Sequence, residues 1–270
     1  MTARGLLHET DSLCALDYNE AYDVGCVCVH SSPAPYKIGQ DSLVNEDAFI
    51  VQPLDTDAVL LAVADGVGGN VRGQDASALA IECLRQAVVT RDYDPLQVRE
   101  QVLSAIDQCN EELLNMGSGS ATTLIVAVIT GNEVRPYHVG DSSILVTGQR
   151  GLIKQRSTSH SPVGFGLEAG FINDHDALDH EQSHLLLNLI GSSEMRIEVG
   201  APFKLARFDT LLLCSDGVTD NLTVADIANT IRVGSQEHAI SSLVSKCREK
   251  MSTDAGHPDD LTAALFRRRQ

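Results

Sequence analysis

Val59 to Gln74 reads VLLAVADGVGGNVRGQ. Its apolar residues, Val59 to Ala64, run unbroken into Asp65 and Gly66, and a glycine-rich turn follows before the pattern becomes helical. That is the signature of a buried strand delivering one carboxylate to its end. The same design recurs at Thr210 to Asp220, TLLLCSDGVTD, where Leu211 to Cys214 form the apolar run and Ser215, Asp216 and Gly217 its polar end. Either Asp-Gly alone is also an ordinary turn signal. An aspartate ending a core strand is costly unless its charge is compensated, and two that converge repel each other. A bound cation resolves both problems. Carboxylate, carbonyl and water oxygens with no adjacent His or Cys set suit Mg²⁺ or Mn²⁺ rather than zinc. The glycine lets the backbone approach closely, which makes the Gly66 carbonyl a further candidate ligand.

Working outward, composition narrows the classes. The chain has 270 residues and is 43% hydrophobic, enough for a substantial core. Lys and Arg number 20 against 37 Asp and Glu, a net charge of −17, which disfavours nucleic acid or an anionic membrane as partner. The seven cysteines, at 14, 26, 28, 83, 109, 214 and 247, are odd in number and lack CxxC spacing, the pattern of reduced thiols in an intracellular protein. Cys26 and Cys28 alternate with Val27 and Val29 and are expected on a strand. No signal peptide is evident, and no apolar run approaches the ~18 residues of a membrane span, so the expected location is the cytoplasm.

Residues 1–21 are weakly patterned and are assigned as an arm or edge; 22–267 are expected to form one domain. Tyr22 to His30 alternates as a half-buried strand that Ser31 to Pro35 breaks. In KIGQDSLVNEDAFIV, Lys37 to Val51, the acids Glu46 and Asp47 precede a strand at Ala48 to Val51, so one of the pair can aim at Asp65 while the other faces away. Asp75 to Val89 has helical spacing. Asp94-Pro95 caps a second helix whose stripe is Leu96, Val102, Leu103, Ile106, Cys109, Leu113 and Leu114, with Gly117 as its stop. After a joint at Ser118 to Ser120, four short strands with tight turns (122–129, 134–139, 144–147, 152–155) predict one antiparallel meander, with Asp141 at a turn. Ser157 to Ile190 is long and irregular, as functional loops are. Its histidines 175, 180 and 184 match no established zinc spacing. A strand near Lys204 to Ala206, a helix begun by Thr223 with Asp226 in capping-box spacing, a helix from Ser235 to Met251 and a strand at Ala263 to Phe266 complete the chain.

NEDAF (45–49), ADGVGG (64–69), GDSS (140–143), CSDGVTD (214–220) and DDLT (259–262) occur in the order and rough spacing of the metal-dependent protein phosphatases, the PPM or type 2C serine/threonine phosphatase family, which residues 22 to 267 resemble in its bacterial style. The resemblance implies an α+β fold, a four-layer α-β-β-α sandwich of two antiparallel sheets flanked by helix pairs. It implies catalytic roles for Asp65, Asp216 and Asp259. Asp65 would bridge two Mn²⁺ or Mg²⁺ ions, the Gly66 carbonyl would bind the first, Asp216 and Asp259 would hold the second, and Asp141 with Asp216 a third. Glu46 and Asp47 match the pair that orders metal-bound water, and a metal-bridged hydroxide would hydrolyse phosphoserine or phosphothreonine in a protein targeted by a Ser/Thr kinase. Residues 157–190 correspond to the family's flap.

The chain also departs from the family pattern. Ser42 stands where many members carry a phosphate-gripping arginine, Val67 and Asn70 replace family histidines, Ser143 replaces an arginine, Ser159 an aspartate, and Asp260 an asparagine. Lys37 and Arg72 are the candidates for positive charge at the phosphate, and His160 for a proton donor; surface placement explains each equally well. The missing arginine motivates a rival reading, a catalytically weak or inactive member that binds a phosphoprotein or a regulatory partner. A hydrolase of small phosphoesters is a third.

Overall fold

The computed structural model describes residues 7–8, 16–34, 44–67, 72–88 and 93–269. Its strands are β1 (Leu7–His8), β2 (Leu16–Ala21), β3 (Gly25–Ser32), β4 (Asp47–Asp55), β5 (Ala58–Val67), β6 (Ala121–Thr122), β7 (Leu124–Thr130), β8 (Glu133–Val139), β9 (Ser143–Thr147), β10 (Ile153–Arg156), β11 (Glu198–Val199), β12 (Phe203–Lys204), β13 (Thr210–Cys214) and β14 (Leu261–Arg268). Its helices are α1 (Gly73–Ala87), α2 (Pro95–Met116), α3 (Pro162–Glu168), α4 (Asp174–Leu178), α5 (Asp216–Thr219), α6 (Val224–Ile231) and α7 (Gln236–Met251).

The run Val59 to Ala64 is apolar without a break because both faces of β5 are covered. Leu60, Ala62 and Ala64 point into a layer shared with α1 and α2, while Val59, Leu61 and Val63 point between two sheets. β13 repeats this: Leu211 and Leu213 face the other sheet, and Leu212 and Cys214 face α6 and α7. One sheet has the order β1-β4-β5-β7-β8-β11, with β6 on β5 and β12 on β8; the other is β10-β9-β13-β14-β3-β2. All pairings are antiparallel. Helices α1 and α2 cover the first sheet and α6 and α7 the second, giving the expected four layers. Each central Leu or Ile of these strands stabilises the fold by about 1.5–3 kcal/mol through burial.

Local chemistry fixes the helix ends. Asp94 accepts from Leu96 N, Pro95 opens α2, and Gly117 closes it at φ 62°. At α6, Thr223 accepts from Asp226 N and donates back to the Asp226 carboxylate. The buried face of α2 runs through Val98, Val102, Ala105, Ile106, Cys109 and Leu113, whereas Leu96 and Leu114 are exposed, so the expected stripe is corrected at both ends.

The expected single meander is also corrected. β7 and β8 belong to the first sheet and β9 and β10 to the second. The chain changes sheets at Gly140, whose φ of 104° suits glycine and whose Cβ would sit 2.6 Å from Thr123 Cβ. β3 starts at Gly25, after a tight reversal at Tyr22, and continues through Ser31 and Ser32 because the Ser31 hydroxyl finds Thr262 Oγ1 at 2.8 Å and Asn45 Nδ2 at 2.8 Å. The strand expected at Lys204 to Ala206 shrinks to Phe203–Lys204. Within 157–190 only α3 and α4 are regular. No helix among the described residues is long and apolar enough to cross a membrane.

Candidate active site

Register and corners bring the acids together. Asp65 lies opposite Asp47 across the β4–β5 ladder, Asp216 follows β13 and opens α5, Asp141 occupies the corner between sheets, and Asp259 and Asp260 precede β14. Carboxylate oxygens of Asp65, Asp141 and Asp216 all lie within 4.8 Å of one another. They sit in a cavity of about 390 Å³, also lined by Glu46, Gly66, Val67, Asp220, Asp259 and Asp260, with Ser183, His184, Leu186, His257 and Pro258 completing it. No Lys or Arg lines it among the described residues.

The backbone frame is tight. Gly66 N donates to Glu46 O at 3.1 Å, and a Cβ on Gly66 would lie 2.1 Å from Gly73 O. On Gly217 a Cβ would lie 2.0 Å from Asp260 O. The Asp65 carbonyl accepts from Thr123 N and Thr122 Oγ1, each at 2.8 Å, and Thr123 Oγ1 meets Ser142 Oγ at 2.6 Å, tying β5 to the Asp141 corner. Asp260 is buried and structural: its oxygens accept from Ala34 N at 2.7 Å and from Glu46 N at 2.6 Å. Glu46 lines the cavity, and Asp47, opposite Asp65 in the ladder, is buried with Ser215 Oγ donating to its carboxylate at 2.8 Å.

Burial and mutual repulsion raise the pKa values of these groups. Asp65 is raised well above the usual carboxylate range by burial, then by Asp47, Asp259 and Asp141. Asp216 is raised likewise by burial, then by Asp65, Asp259 and Asp141. Burial, with the Asp259 charge behind it, lifts Asp141 to about 6. Burial, then Asp141 and Asp259, lifts Asp220 to about 8, and burial, then Asp260, lifts Asp47 to about 8. Asp141 Oδ1 is buried with no hydrogen-bond partner. An oxygen-only donor set, an orphaned carboxylate oxygen and uncompensated repulsion fit a hard divalent cation. Asp220 was not assigned from sequence, although its position four residues after Asp216 puts both on one face of a helical turn; Asp220 N donates to Asp216 O at 2.8 Å.

The chain's sequence matches the protein phosphatase 2C family model over residues 37–253. It belongs to this family. Among curated relatives, the phosphatase 2C chain is 30% identical to the serine/threonine phosphatase stp of Listeria innocua, over 64% of this chain and 71% of that one. It is 29% identical to the protein phosphatase PhpP of Streptococcus pneumoniae, over 84% and 93%. The crystal structure of the serine/threonine phosphatase Stp1 of Staphylococcus aureus superposes with a TM-score of 0.79 at 23% identity, covering 94% of this chain and 98% of that one, a likeness of fold. Metal dependence is a property of the phosphatase 2C family, and the acid trio is consistent with it.

Several expectations for the phosphatase 2C site change. Arg72, at φ 73°, is exposed, lies 3.5 Å from Asp75 and is not among the residues lining the acidic cavity. Lys37, Ser42 and Asn70 lie outside the described residues. His160 is buried and fully engaged instead of facing the acids. Its Nδ1 accepts from Gly140 N at 3.0 Å and Asn188 Nδ2 at 2.8 Å, so its Nε2 proton goes to Glu198 at 3.0 Å. Its ring stacks on His138 at 4.4 Å, and burial, then the His160 ring, hold His138 at about 3, hence neutral. His160 latches the flap to the corner and to β11. His160→Ala should cost about 2–3 kcal/mol in urea unfolding through lost packing and orphaned donors. It should leave the shape of the pH–rate profile unchanged; a vanished basic limb would reinstate His160 as proton donor. His175, His180 and His184 do not form a ligand group among the described residues.

Proposed function

We propose that this chain removes phosphate from phosphoserine and phosphothreonine in proteins, opposing a Ser/Thr kinase in the cytoplasm. The observation carrying this reading is the convergence of Asp65, Asp141 and Asp216 within 4.8 Å in a cavity without Lys or Arg among its described lining. Asp65, the Gly66 carbonyl, Asp216 and Asp259 would hold two Mn²⁺ or Mg²⁺ ions, and Asp141 with Asp216 a third. Bound there, such ions lower the pKa of water and neutralise charge on phosphoryl oxygens. Among the described lining, which has no Lys or Arg, the ions these acids hold would be the positive partners of the substrate phosphate. Glu46, fixed through its backbone by Asp260, is positioned to orient water from the cavity wall, and the Asp47 carboxylate is held by the Ser215 hydroxyl. Ser183, His184 and Leu186 bring the flap into the wall of the cavity. The proton-rich ground state of the acids gives the chain a metal affinity that depends on pH, because the ions displace protons.

Turnover of p-nitrophenyl phosphate and of a phosphothreonine peptide, with Mn²⁺ and with EDTA, tests the reading. Both activities should vanish in EDTA and return with Mn²⁺. Because binding displaces protons held by raised carboxyl groups, Mn²⁺ affinity should tighten as pH rises from 5 to 8, by up to roughly tenfold per pH unit for each proton displaced, the Asp141 contribution fading above about pH 6 and that of Asp220 above about pH 8. Activity on the small ester alone would select a phosphoesterase, and metal binding without turnover on either would select the binding module.

A further inference from the structure

The flap leaves a second cavity beside the acids. Helices α3 and α4 face β9, β13 and α6 across a space of about 100 Å³, with Val163, Leu167 and Ala177 on the flap side and Ile144, Leu212 and Ile227 on the body side. A single water needs only on the order of 10–15 Å³, so this space has room for a branched aliphatic side chain. Protein interiors normally fill such voids, because atoms lining one forfeit packing partners. This one is not isolated. Asp141, Ser183 and Asp220 line both it and the acidic cavity, so a group held at the acids has an apolar compartment directly beside it. On the rim, Arg156 and Asp174 pair at 2.8 Å and are both partly exposed, joining β10 to α4 at the surface.

We infer that this sub-flap cavity receives an apolar side chain of the phosphoprotein substrate, from a residue flanking the phosphorylated one, and thereby selects among phosphorylation sites. The inference rests on the phosphatase reading above. An aliphatic side chain supplies the packing partners that the lining lacks and leaves water as it does so. An acidic one loses its hydration among the apolar lining without a partner to replace it.

The test uses the full chain with Mn²⁺ and phosphothreonine peptides differing only in the flanking residue, Leu, Ala or Asp, on either side. On one side Leu should exceed Ala by roughly tenfold in kcat/KM, with Asp poorest. Ala177→Phe, which fills the cavity from α4, should bring Leu and Ala within about twofold of each other. It should preserve turnover of p-nitrophenyl phosphate, which has no flanking residue. Leu167→Trp is the second filling variant should the first fail to fold. Equal kcat/KM for Leu and Ala on both sides, or a preference that survives in a folded filling variant, would overturn the inference. If neither peptide nor p-nitrophenyl phosphate is turned over, the phosphatase reading fails by itself. The cavity is then judged by anisotropy binding of the same labelled peptides to the intact chain, where Leu must still bind more tightly than Ala and equal affinities overturn it.

Discussion

Asp65→Asn abolishes metal-dependent turnover and at the same time makes the metal-free protein more stable. The expected loss in kcat is about a thousandfold or more, equivalent to about 4 kcal/mol of barrier. The amide keeps the shape of the side chain and removes the charge around which the other acids are arrayed. The gain in stability follows from linkage. Burial and neighbouring acids raise the folded-state pKa of Asp65 and Asp216 above their unfolded values. Folding therefore takes up protons, and the stability of the metal-free chain is fully present below roughly pH 3.9 and drains away as pH rises through the folded values. Asparagine removes one of the charges responsible. In EDTA at pH 7.5 the variant should melt a few degrees above wild type, and near pH 4 the two should converge. Mn²⁺ should then raise the wild-type melting temperature much more than that of the variant, since a ligand bound only by the native state stabilises it by mass action. A variant with wild-type turnover, or one that melts lower in EDTA, would remove the charge-repulsion account of this cavity. The arrangement trades stability for a site, as functional clusters of like charge commonly do.

Much of this was readable in the chain because the signals were local or periodic. The unbroken run before Asp65 announces a strand covered on both faces, and alternate residues of that run do enter two different core layers. Asp94-Pro95 and Gly117 bound α2 through hydrogen bonds within a turn of the helix ends, so they need no tertiary information. Sheet membership does. The strands from Leu124 to Arg156 look like one hairpin series, but the chain crosses to the other sheet at Gly140, where φ is 104° and a Cβ would meet Thr123. The exposure of Leu96 and Leu114 is a matter of face: the neighbouring Val98 and Leu113 are buried, and at about 100° per residue Leu96 and Leu114 both turn well away from the stripe that Val98, Val102, Ala105, Ile106, Cys109 and Leu113 form. In the site, acids next to glycine in a repeated pattern were legible. Asp220 was hidden by its ordinary position on a helical turn. His160 was legible as a histidine near the site, but its role depends on Gly140, Asn188 and Glu198, which sequence order does not bring near it.

Gly66→Ala should be the most damaging uncharged substitution at the site. Gly66 and Gly73 face each other where the end of β5 meets the start of α1, and a Cβ on either strikes backbone: Gly73 O at 2.1 Å from the first, Gly66 O at 2.6 Å from the second. Glu46 O closes the third side, 2.8 Å from a Cβ at Gly66. These are peptide atoms held in a ladder and a helix, so no rotamer change relieves the clash. Either α1 moves outward with the core layer of Ala76, Ala80 and Ile81, or the end of β5 moves and takes the Asp65 carboxylate with it. The expected cost is about 3 kcal/mol of stability. A displacement of about 1 Å at the carboxylate is enough to lose roughly a hundredfold in turnover even in the molecules that fold. Gly117→Ala is the matched control. Gly117 also has a special conformation, φ 62°, but nothing lies within 4 Å of its would-be Cβ. It should cost about 1 kcal/mol from the left-handed backbone alone and leave kcat/KM untouched. Urea unfolding of both variants, with p-nitrophenyl phosphate kinetics in saturating Mn²⁺, separates steric exclusion at the Asp-Gly turn from a general intolerance of alanine for glycine. If Gly66→Ala loses no more stability than Gly117→Ala and keeps its turnover, then the close approach of β5 to α1 is not what positions Asp65.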